Sequence, residues 1–91
     1  MNPRTAHSQY MGGMIWGMAS ALLEATEIDH KRARYTNDNI AEYHLAVNAD
    51  IPDVYVIMVP EVDDEINILG VKGIGELSNV ATAAAITDAV W

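Results

Sequence analysis

Ser8-Gln-Tyr-Met-Gly-Gly-Met-Ile-Trp-Gly-Met-Ala-Ser-Ala-Leu-Leu-Glu-Ala25 is the stretch from which the fold is read. Met11, Met14, Ile15, Met18, Leu22 and Ala25 recur at three- and four-residue steps, one stripe of an amphipathic helix. The other side carries Gly12, Gly13, Gly17 and Ser20. Glycine weakens an isolated helix but lets another backbone come close. The spacing therefore predicts a helix over 8–25 that docks tightly on a neighbouring element, and that neighbour is expected outside these 91 residues.

Outward from this helix the pattern changes. Glu27 to Arg34 is charged, Thr36-Asn37-Asp38-Asn39 favours a turn, and one or two short extended segments are expected before Ala49. Val54-Tyr-Val-Ile-Met-Val59, set off by Pro52 and Pro60, is continuously apolar and reads as a strand covered on both faces. Leu77 to Trp91 is alanine-rich and predicts a second helix, with Ser78 or Asn79 to cap it. That helix reaches the last residue without a stop signal, and Asn2-Pro3 leads into the first as a turn. The expected class is α+β: two helices packed on a short, mostly antiparallel sheet, forming part of a larger domain.

Composition narrows the function. An apolar fraction of 51% suits one small core, which a partner surface would need to support at this length. Thirteen acidic against five basic residues give a formal charge of −8, which disfavours nucleic acid as a partner. The densest acidic group, Glu61, Asp63, Asp64 and Glu65, reads as a solvated loop first and a cation site second. Cysteine is absent, so no disulfide or thiolate metal site comes from this chain. No apolar run reaches membrane-spanning length, and no membrane partner is expected.

Gly70-Val-Lys-Gly-Ile-Gly-Glu76 is the stretch that bears on chemistry. It precedes a predicted helix start, where free N–H groups favour an anion, and its glycines admit a ligand to the backbone. It matches neither the dinucleotide fingerprint nor the nucleotide P-loop. Taken alone, Glu76 is either a first-turn glutamate complementing a helix dipole or a general base in a closed site. His7, His30 and His44 stand at unrelated positions, with His7 notable only for its nearness to Gln9.

Asn2-Pro-Arg-Thr-Ala-His-Ser-Gln9, then Gly12-Gly13 in an apolar helix, then Lys72-Gly-Ile-Gly-Glu76 resembles the C-terminal part of the molybdenum-binding large subunit of the xanthine dehydrogenase/aldehyde oxidase family, above all of bacterial aldehyde oxidoreductases. The likeness covers essentially the whole chain, which it presents as a C-terminal fragment, 1–91, of a molybdopterin-binding domain. It implies oxidation of aldehydes to carboxylic acids, or hydroxylation of purine-type heterocycles, with water as the oxygen source. The catalytic base then falls on Glu76. Cofactor contacts fall on Asn2, Pro3, Arg4, Thr5 and Gln9, and on Lys72, Gly73, Ile74 and Gly75. No residue is expected to ligate the metal, which the family holds through the pterin.

The implied cofactor is molybdenum-molybdopterin cytosine dinucleotide, whose pyrophosphate suits amide-rich loops and helix N-termini. The implied partners are iron-sulfur and FAD subunits of the same enzyme, besides an aldehyde or heterocyclic substrate. A cytoplasmic or a periplasmic location fits equally. The chain alone is expected to be inactive, to bind no cofactor firmly, and to self-associate through Met11, Met14, Trp16 or Trp91. Two other readings stand beside this one: a stand-alone phosphate- or nucleotide-binding module using Gly70 to Gly75 without catalysis, and an assembly piece with no ligand.

Overall fold

The structure is a computed structural model and describes residues 2–91. The described residues form two α-helices, a single 3-10 turn at Asn48–Asp50 and one two-stranded antiparallel sheet, the α+β set that the sequence predicts. Helix α1 spans Pro3–Leu22, strands β1 and β2 are Ile28–Asp29 and Arg34–Tyr35, and helix α2 is Thr82–Val90.

Helix α1 begins five residues before the predicted start at Ser8. Asn2 is its N-cap, with Oδ1 accepting from the Arg4 N–H at 3.0 Å, and Pro3 occupies the first turn, where a missing N–H costs nothing. The Thr5 hydroxyl and the Ala6 N–H both donate to the Asn2 carbonyl, each at 3.1 Å. At the other end Leu23 closes the helix by donating to the Ala19 carbonyl, so Glu24 and Ala25 fall outside it.

The hairpin that follows pairs Ile28 with Tyr35 and Asp29 with Arg34. Asp29 Oδ1 accepts from the Lys31 and Arg32 N–H groups, and Ala33 takes a left-handed conformation, φ 52°, to bring the chain back. Asn37 ties the hairpin to the end of α1: its Nδ2 donates to the Ala25 carbonyl at 2.6 Å while its Oδ1 accepts from Glu27. Asn39 accepts from the N–H groups of Ala41 and Glu42. The turn residues read from the sequence do the turning.

Two of the expected elements need correction. Val54–Val59 forms no strand, because no other segment among the described residues supplies the ladder its backbone requires. Far from being covered on both faces, it leaves Tyr55, Ile57 and Val59 82%, 87% and 82% exposed. The second helix starts at Thr82, not at Leu77, and its N-cap is Ala81, without a side-chain cap. Between Ile74 and Thr82 the chain winds through successive i to i+3 turns: Leu77 donates to Ile74, Asn79 to Glu76 and Thr82 to Asn79.

These turns and α2 lie along α1, and they are the neighbour that the glycines await. A Cβ on Gly17 would meet Thr82 Cβ at 2.7 Å and Asn79 Oδ1 at 2.9 Å, while one on Gly13 would strike Ser78. The element expected outside the chain is thus its own C-terminal part. Gly12 faces open space. The core along this seam is thin: Ala6, Gly17 and Ala19 are buried, and among the described residues no large side chain is.

Candidate functional site

The N-terminal turns of α1 and the glycine loop, remote in sequence, meet in space. Gln9 Nε2 donates to the Gly75 carbonyl at 2.7 Å across 66 residues of chain. Of the expected cofactor contacts, Gln9 and the Lys72 to Gly75 loop are brought together, while Asn2, Pro3, Arg4 and Thr5 lie in the cap and first turn of the same helix α1. Glu76 follows directly, in a turn and not in the first turn of a helix, so a dipole-complementing role does not describe it. Its carbonyl accepts from Asn79 at 2.9 Å. Its exposed carboxylate has no hydrogen bond or ion pair among the described residues.

The loop before Glu76 is shaped by Asn67 and Gly70. Asn67 Oδ1 accepts from Leu69 and Val71, its Nδ2 donates to the Val71 carbonyl, and its own carbonyl accepts from Gly70. Gly70 has φ 59°, the left-handed region that favours glycine. Lys72 then reaches across to Asp63 at 3.0 Å. The hydrogen bond from Lys72 holds the Asp63 carboxyl below its usual range, and Asp63 raises Lys72 in turn. The acidic cluster is thus a tethered loop, and no group of three or more potential metal ligands occurs among the described residues.

From Lys72 to Glu76 the backbone N–H groups have no acceptor among the described residues, and a Cβ on Gly73 or Gly75 would meet nothing within 4 Å. This is open, donor-rich backbone, the chemistry an anionic pterin phosphate needs, so the residues present fit the group that the resemblance implies. A cleft of about 510 Å³ adjoins it, lined by Tyr10 next to Gln9, by Met58, Asp63 and Lys72, and by Ile74. His7 lies with Pro3, Arg4 and Ser8 on a separate shallow surface, and His30 lies against the hairpin. Among the described residues no histidine is hydrogen-bonded or ion-paired to the Glu76 turn. The bond between Gln9 and Gly75 and the pair of Lys72 with Asp63 are site contacts with no signal in residue spacing.

Residues 1–52 match the molybdopterin cofactor-binding domain family, and the chain belongs to it. Over 91 residues, its full length, it is 38% identical to the aldehyde oxidoreductase molybdenum-binding subunit PaoC of Escherichia coli strain K12. It is 34% identical over 90 residues, 99% of its length, to a xanthine dehydrogenase molybdenum-binding subunit of Escherichia coli O157:H7. A third relative, at 28% over 90 residues, is the 6-hydroxypseudooxynicotine dehydrogenase complex subunit gamma of Paenarthrobacter nicotinovorans, of which the chain covers 11%. The chain spans 12% of the length of each of the two Escherichia coli relatives. It is thus a member of the molybdenum hydroxylase family of oxidoreductases, related to subunits of multi-subunit enzymes and to a domain that binds the molybdenum cofactor.

Proposed function

We propose that this chain forms one wall of the molybdenum site of an aldehyde-oxidising hydroxylase and that Glu76 is its general base. The observation that carries the reading is the 2.7 Å bond from Gln9 to Gly75, which joins the two segments resembling cofactor-contacting stretches and leaves Glu76 at their junction. Identity to an aldehyde oxidoreductase subunit over the whole chain supports an aldehyde as substrate, with a purine-type heterocycle second.

The net reaction converts an aldehyde and water to a carboxylic acid, two protons and two electrons. When bound, the molybdenum pterin accepts those electrons and activates the oxygen that derives from water. The N–H groups of Lys72 to Gly75, with Arg4 and the N-terminal turn of α1, would hold its phosphates, in the cytosine dinucleotide form. Gln9 orients the loop through Gly75. Glu76, free of ion pairs among the described residues, takes the proton from the attacking oxygen. Iron-sulfur and FAD subunits would carry the electrons away, in the cytoplasm or the periplasm.

The test is Glu76→Gln in a full-length subunit that carries this segment. A positioned general base contributes roughly 100-fold to 10,000-fold, so turnover falls by at least about 100-fold while molybdenum content is unchanged. Turnover near wild type at full molybdenum occupancy refutes the assignment.

A further inference from the structure

Gln9, Gly13 and Gly17 stand four residues apart on α1 and so share one face. Each meets a successive point of the returning chain. Gln9 holds the Gly75 carbonyl, Gly13 lies under Ser78 and Asn79, and Gly17 lies under Asn79 and Thr82. Farther along, Ala21 and Leu22 border Ile86, Thr87 and Val90, so the returning chain runs in the same direction as α1. Glu76 sits between the first two of these fixed points.

Gly13 is the one of the two glycines that lies under the turn carrying Glu76. A Cβ there would overlap Ser78 Oγ and would lie 3.2 Å from Ser78 Cβ and 3.3 Å from the Asn79 nitrogen. Rotating the hydroxyl relieves the first contact and neither of the others. Ser78 Oγ is itself buried without a hydrogen-bond partner, directly against the bare Gly13 Cα. A buried hydroxyl left in this way is unfavourable, and close approach of the two backbones is what keeps it there.

We infer that Gly13 is a positioning residue for Glu76: its missing side chain sets how closely the Glu76 to Asn79 turn lies on α1, and Gln9 latches the same turn through Gly75. This rests on the reading of Glu76 as base. A methyl group at position 13 forces the turn outward by a few tenths of an ångström. Since a misplacement of about 1 Å costs on the order of 100-fold in rate, the smaller shift costs roughly threefold to tenfold.

The experiment has two arms. In a full-length subunit carrying the segment, the amide nitrogen and proton resonances of Gly75 to Asn79 are compared across variants. Gly13→Ala moves them and Gly12→Ala does not, because a Cβ on Gly12 meets nothing. Gln9→Met moves the Glu76 amide, whose nitrogen shares a peptide bond with the Gly75 carbonyl that Gln9 holds. In a full-length subunit carrying the segment, Gly13→Ala lowers kcat about threefold to tenfold at unchanged KM and molybdenum content, and displaces the acid limb of the pH profile. Adding Ser78→Gly, which removes the two Ser78 contacts and leaves only the 3.3 Å approach to the Asn79 nitrogen, restores most of kcat. If Gly13→Ala leaves kcat and the resonances alone, or Ser78→Gly restores nothing, the inference is overturned while the Glu76 assignment stands. If Glu76→Gln is itself inert, the assignment fails first and the positioning role with it, even where the resonances move.

Discussion

Lys72 and Asp63 fix the acidic loop beside the cleft, and their mutual effect has a definite pH signature. Asp63 is lowered from 3.8 mainly by the hydrogen bond from Lys72, with the Glu65 N–H helping. A depressed carboxyl contributes stability that is present above the unfolded value and lost as pH falls through the folded one. Lys72 is raised from 10.5, mainly by Asp63, and its share is present below that value and lost as pH rises through the folded one. The tether therefore holds throughout the range from 3.8 to 10.5 and fails at both extremes. Asp63→Asn should return Lys72 toward its ordinary titration, followed by the carbon resonance next to its ammonium group; an unmoved titration would remove the tether from the account. Tyr43 gives an independent check. Its hydroxyl donates to Glu24 Oε2 at 2.9 Å, which together with desolvation raises the phenol, so one of the four tyrosines should ionise later than the rest in an absorbance titration. Tyr43→Phe should abolish that late step.

The two helices show which parts of the elements were open to sequence reading. The apolar stripe marks the body of α1, and its start was also written in the sequence, in the Asn2 cap and Pro3. Reading from the stripe takes Asn2-Pro3 as a turn leading into the helix and starts the helix too late, because cap signals precede the periodic residues. The late start of α2 was not readable: Leu77 to Ala81 has helix-compatible composition, yet the seam with α1 bends it into tight turns. Likewise the glycines announce a close neighbour without saying which one, and the contact from Gln9 to Gly75 joins residues that no periodicity relates. The glycine loop and Glu76 were legible, their assembly with α1 was not. The seam itself is testable. Gly12→Ala should stabilise α1 by about 0.5 to 1 kcal/mol, since the position is open and alanine is the better helix former. Gly17→Ala should cost about 1 to 3 kcal/mol, because its Cβ would sit 2.7 Å from that of Thr82. Thermal unfolding of the two variants should therefore shift in opposite directions.

At the scale of the molecule, the 51% apolar composition misleads when read as a closed core. The chain exposes 7723 Å², whereas a compact monomer of 9.9 kDa would expose about 5200 Å². Its radius of gyration is 17.4 Å against about 12 Å for a compact domain of this length. The surplus resides in apolar groups such as Tyr55, Ile57, Ile68 and Trp91, which composition counts as core candidates although the fold leaves them uncovered. In solution the isolated chain should associate, its sedimentation coefficient rising with concentration, and a strictly monomeric species at high concentration would contradict this. It should also bind nucleotides weakly or not at all by calorimetry, and tight binding would favour the stand-alone module instead.

The central claim, that the N-terminal turns of α1 and the Glu76 turn form one face of a molybdenum site, is tested most directly by anomalous diffraction at the molybdenum absorption edge from crystals of a full-length subunit containing this segment. The account predicts the molybdenum peak beside the Glu76 carboxylate, with the phosphates of the pterin against Lys72 to Gly75 and the start of α1. A peak remote from Glu76, or a cofactor in contact with neither segment, would contradict it.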